Sequence, residues 1–147
     1  MDLGESSALK SLSLQVGSIF KMKLLPQDGV TPKNPGDTDR TKYFVVLGID
    51  DSKVLVGSVL INSHINNKLF SIIGPYQHCI YEADYSFLTH EESFIDCFQV
   101  KEISYDRIIN EAEYIGLIED VDMVSVKELV ISSPANRKFI LKKFHIL

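Results

Sequence analysis

Two apolar runs dominate the chain, Tyr43 to Ile49 and Val54 to Ile61, separated by the polar turn Asp50-Asp51-Ser52. β-branched and aromatic runs around a short polar turn predict a hairpin. The first run is nearly continuous and the second is interrupted only by Gly57 and Ser58, so both strands are expected to be covered on both faces, as in a small barrel. From Gly17 the alternation puts Phe20, Met22 and Leu24 on one face and Ile19, Lys21 and Lys23 on the other, a strand whose outer face carries two positive charges. Tyr76 to Tyr81, Phe94 to Val100 and Lys101 to Ile103 read as further short strands, with a bend before Lys101. Five or six short strands with few helices between them predict a mainly β barrel. From Asp120 the spacing of Val121, Val124, Leu129 and Val130 is helical, with Asp120 as cap and Pro134 as stop. A second short helix is predicted over Arg137 to Phe144, its lysines solvated above buried Phe139, Leu141 and Phe144.

The connecting segments set the domain limits. Residues 1 to 16 are polar and Ser-rich, an N-terminal extension that is either frayed or one short helix, and 17 to 147 form a single barrel domain with a C-terminal helical segment over about 120 to 146. With 147 residues and 45% hydrophobic content the chain buries one core. Pro26 to Thr41 holds three prolines and two glycines and predicts a long loop, of the kind that is either functional or disordered; its place just upstream of Arg40 favours function, as a gate over the site. The opening residues lack the basic start and apolar centre of a secretory signal, and no run is long enough to span a bilayer, so a cytoplasmic protein without membrane contact is expected.

Charge and chemistry narrow the picture further. A net charge of −5 argues against a protein held to nucleic acid by general phosphate neutralisation, but leaves room for a local basic rim. Pairing the two hairpin strands brings the entry of the first, with Arg40 and Lys42, beside the exit of the second, with Asn62, Ser63 and His64. The bland alternatives are solvated edge charges for Arg40 and Lys42, a turn cap for Ser63 and an ordinary wet face for Lys21 and Lys23. Cys79 and Cys97 lack CxxC spacing and read as reduced core residues. His78 and His90 lack partners at metal-ligand spacing, and Glu119, Asp120 and Asp122 read as helix-start electrostatics. Neither a metal nor a cofactor is implied.

The order of these pieces resembles the MazF/PemK family of toxin endoribonucleases. Gly17-Ser18-Ile19-Phe20 is similar to the family's opening strand, Tyr43-Phe44-Val45-Val46-Leu47 to the apolar run that follows an arginine and a proline, and Ser58 to Ile65 to the strand end carrying a threonine. Tyr85-Ser86-Phe87-Leu88, Glu92 to Ile103 and Ile115-Gly116-Leu117-Ile118 resemble later pieces in the same order. Three departures stand out. Lys42, followed by Tyr43, sits where members place arginine and proline, Asp96-Cys97-Phe98 lacks the later arginine, and Ser18 replaces an aspartate.

The resemblance implies an SH3-like, MazF/PemK-type barrel with C-terminal helices. It also implies metal-independent cleavage of single-stranded RNA, a homodimer and an antitoxin partner. Arg40 by chemistry or Lys42 by register would stabilise the crowded phosphorane, and Ser63 would donate to the same phosphate. His64 would act as general acid or base, with Lys21, Lys23 and Asn62 binding substrate. The alternative is a barrel that has lost the reaction and serves as a protein- or nucleic-acid-binding regulatory module.

Overall fold

The computed structural model describes residues 10–28 and 40–147. Seven strands form one antiparallel sheet: β1 (Ser18–Leu24), β2 (Arg40–Ile49), β3 (Leu55–Asn62), β4 (Gln77–Tyr81), β5 (Glu92–Asp96), β6 (Lys101–Ser104) and β7 (Glu113–Leu117). Their order is β4-β5-β3-β2-β1-β7. Strand β3 is the branch point, because its first half pairs β6 from Leu55↔Ser104 to Ser58↔Lys101 while its end pairs β5 at Ile61↔Ile95. One strand serving two partners along one edge curls the sheet into a half-barrel. Helices α1 (Tyr105–Glu111), α2 (Asp120–Ser132) and α3 (Lys138–Lys143) follow in the C-terminal part.

The central strands are buried on both sides, as their nearly continuous apolar runs predict. Ile19, Val45, Leu47, Val59, Ile61 and Ile95 pack on one side with Val126, Val130, Leu141 and Phe144. Phe20, Met22, Phe44, Val46, Val56 and Leu60 pack on the other with Ile103, Ile108, Ala112 and Leu14. The outer face expected on β1 is therefore only partly wet. Ile19 is 2% exposed, and Lys21 Nζ sits 5.6 Å above the centre of the Tyr43 ring, which leaves Lys23 as its exposed cation.

Gly48 and Gly57 face each other across the β2–β3 ladder, next to a bulge between Val46 and Gly48. They are where Phe144 seats. A Cβ on Gly48 would come within 1.7 Å of the Phe144 carbonyl oxygen, and one on Gly57 within 2.6 Å of its ring. Two glycines in otherwise β-branched strands thus mark a close approach of the C-terminal backbone.

Several expectations for the C-terminal part are corrected. The α2 cap is Glu119 rather than Asp120, and no side chain closes it. Its buried residues are Val126 and Val130, one turn apart, whereas Val121 and Val124 stay exposed at 70% and 58%. Phe139, expected in the core, is 64% exposed, and Leu141 and Phe144 carry that contact with help from Ile140 and Ile146. Strand β7 and helix α1 had no periodic signal, since β7 is a short, mostly exposed edge and α1 buries only Ile108. Cys97 is buried, while Cys79 is partly exposed with its thiol 3.6 Å from Glu92 Oε2. Residues 29–39 of the expected gating loop lie outside the described residues.

Candidate functional site

The hairpin register decides which side chains meet. One step beyond the Tyr43↔Ile61 pair, Lys42 on β2 stands across from Asn62 on β3, and Lys42 Nζ donates to Asn62 Oδ1. Alternation sends this pair to the side of Phe44 and Leu60, away from Thr41, Tyr43 and Ile61. Lys42 is only 7% exposed. Burial, followed by repulsion from Arg40, pulls its pKa down to about 8, and Asp96 at the end of β5 opposes them. That aspartate is itself held, accepting from Gln77 Nε2 at 2.8 Å and from the Phe98 N–H at 3.1 Å.

Ser63 and His64 leave the sheet at the end of β3, and both are exposed. Ser63 Oγ lies 3.2 Å from His64 Nδ1. The hydroxyl therefore pairs with its neighbour, and the group directly opposite Lys42 is an amide. A cleft of about 180 Å³ opens at this rim, walled by Arg40, Lys42 and Tyr43 from β2 and by Ile61, Asn62 and Ser63 from β3. The structure brings Arg40, Lys42, Asn62 and Ser63 to one opening, and His64 approaches it through Ser63. Lys21 is one ring away, over Tyr43. Lys23 has an exposed side chain, and its carbonyl accepts from Arg107 at 3.4 Å.

The third wall was not anticipated from sequence. Leu88, Thr89, His90 and Ser93 complete the lining. The segment between β4 and β5 is brought there by its own apolar residues. Leu88 is 5% exposed, and the Phe87 ring packs 4.7 Å from that of Tyr43. Tyr85 anchors the base of this segment by donating to Asp122 Oδ2 and accepting the Glu119 N–H at 3.0 Å. Asp122 also holds His78 Nε2 at 2.7 Å, so this acidic residue ties α2 to β4 and to the loop besides favouring the helix start. Burial and the neighbouring carboxylate push the Tyr85 phenol well above its ordinary range. The Phe87-Leu88 pair was the available signal, an apolar anchor directly before Thr89 and His90.

The arrangement offers two cations, a neutral amide, the hydroxyls of Thr41, Ser63, Thr89 and Ser93, and His90 around a small opening. That set suits a phosphodiester, since cations and N–H or O–H donors grip phosphate oxygens. Among the described residues no group of three or more His, Cys, Asp or Glu side chains is placed to hold a metal.

No protein-family model and no curated protein matches the chain. A solved structure does: the crystal structure of MazE-MazF from Deinococcus radiodurans, with a TM-score of 0.55 at 10% identity, covering 82% of this chain and 94% of that one. The fold is MazF-like, a half-barrel of antiparallel strands with C-terminal helices.

Proposed function

We propose that this MazF-like barrel is a toxin-type, metal-independent endoribonuclease that cleaves single-stranded RNA at the rim cleft. The observation that carries this reading is the convergence of Arg40, Lys42, Asn62 and Ser63 on one opening. Arg40 grips two phosphate oxygens, and Asn62 and Lys21 bind the strand beside it. Lys23, on the outer face of β1, guides the incoming chain. Ser63, which lines the cleft, passes the 2′-hydroxyl proton to His64.

Transfer of a proton to the leaving 5′-oxygen completes a cleavage in which every step is served by side chains. The barrel unit is residues 17–147, preceded by an extension. In the cell it works in the cytoplasm as a homodimer, held inactive by an antitoxin. The resemblance to a MazF that was solved with MazE supports that partner. No helix among the described residues is long and apolar enough to cross a membrane.

The test is cleavage of an end-labelled, mixed-sequence single-stranded RNA in excess chelator. Discrete products are expected from the parent, and Arg40→Ala and Ser63→Ala are expected to cleave at least about 100-fold more slowly, the usual worth of a group acting on the transition state. Equal cleavage by parent and variants would remove the site assignment. A second reading, a binding module that has lost the reaction, is favoured by the absence of an arginine at Asp96-Cys97-Phe98. Under that reading induction leaves growth unaffected and the parent yields no products.

A further inference from the structure

We propose that Lys42 is the proton donor of the cleavage, delivering its ammonium proton to the 5′-oxygen as the P–O5′ bond breaks. The inference rests on the RNA-cleaving reading of the cleft and assigns the one step that Arg40 and Ser63 leave open. A guanidinium keeps its protons at any working pH, and a serine hydroxyl is too weak an acid to protonate a departing alkoxide while it also relays the 2′ proton.

Lys42 has the required placement. It forms part of the cleft wall two residues from Arg40, is 7% exposed, and has its Nζ fixed by Asn62 Oδ1. An ammonium carries three N–H donors, and Asn62 takes one. Its proton is also loosely held, because burial and Arg40 bring it to about 8, near the value at which an acid both holds and releases a proton well. The charged and titratable groups around it are Arg40 on its own strand, Asp96 from β5 and His90 from the loop; Met22 on β1 and Asn62 on β3 carry none. His90 is the rival donor. It is exposed, and its Nδ1 turns 3.1 Å from the hydroxyl of its own neighbour, Thr89.

The step balances within the chain. The 2′-hydroxyl proton passes by Ser63 Oγ to His64, and the 2′-oxygen bonds to phosphorus. The P–O5′ bond breaks and its electron pair takes the Lys42 proton. The products are a 2′,3′-cyclic phosphate and a 5′-hydroxyl, after which the amine regains a proton from water and His64 returns one.

The experiment compares two substrates that differ in one atom, an ordinary RNA linkage and one with sulfur in place of the bridging 5′-oxygen, which leaves without being protonated. Lys42→Arg keeps the charge but gives up no proton. It is expected to slow the oxygen substrate by about 100- to 1,000-fold while leaving the sulfur substrate within about threefold of the parent. Should that variant fail to fold, the parent's own pH profile decides: cleavage of the oxygen substrate falls above pH of about 8, and cleavage of the sulfur substrate does not. Equal effects on both substrates, or none, overturn the assignment of Lys42 and leave the nuclease standing. A parent inert towards both overturns the nuclease reading and the donor with it.

Discussion

A lysine that is 7% exposed and bonded to a neutral amide destabilises the folded chain for as long as it is charged. The sign follows from its two pKa values. The folded value of about 8 lies below the ordinary 10.5, so between them the unfolded chain binds more protons and stability rises with pH; below about 8 the penalty is present in full. Lys42→Met is therefore expected to stabilise the chain at pH 7 by up to about 3 kcal/mol, the worth of that pKa difference. The gain shrinks towards pH 10.5, as urea unfolding at pH 7 and pH 10 would register. A stabilising substitution that also removes the proposed donor is what a functional charge in a poor environment produces. The sequence showed that Lys42 stands at a strand entry. It could not show the burial, which the register brings about by setting Lys42 against Asn62 on the side of Phe44 and Leu60.

At the scale of elements, the contact that closes one side of the barrel is the seat of Phe144 over Gly48 and Gly57. Phe144 is fully buried, and either glycine gains a clash with it if given a Cβ. Gly57→Ala meets the ring at 2.6 Å, and Gly48→Ala meets backbone, which has less room to yield. We expect Gly57→Ala to cost about 1–3 kcal/mol, with Gly48→Ala the more damaging. Adding Phe144→Leu to Gly57→Ala should recover part of the loss, and thermal unfolding of the singles and the double reads the coupling. If the two losses simply add, the seat is wrongly identified. The helical period from Asp120 was legible because α2 is 13 residues long, but the face it buries was not. Val121 and Val124 are as apolar as Val126 and Val130, and only the position of the sheet distinguishes them. Helix α3, of six residues, similarly turns Leu141 in and Phe139 out.

For the molecule as a whole, net charge and site charge have opposite signs. The chain carries −5, while the rim presents Arg40, Lys42 and, over Tyr43, Lys21. An RNA bound as proposed is attracted locally and repelled elsewhere, so few phosphates are neutralised. About three contacts predict a slope near −2 for log K against log salt on a single strand, shallow for a nucleic-acid binder. A steep slope, measured by fluorescence anisotropy of a labelled oligonucleotide over a salt series, would place RNA on a larger surface than this cleft.

The central hairpin and its double-sided burial are legible from the residues alone, because nearly continuous β-branched runs around a polar turn have few other ways to hide from water. So is the polar rim, since an antiparallel hairpin must return its exit beside its entry. Which rim residues meet depends on the folded arrangement. Register put Asn62 across from Lys42 and turned Ser63 towards His64, and a one-residue slip would have reversed that pairing. Only the fold, too, brought Thr89 and His90 to the opening, by docking Phe87 and Leu88 about 45 residues along the chain from Tyr43. Contacts at that separation depend on how the sheet curls, which no local pattern of hydrophobic and polar residues records.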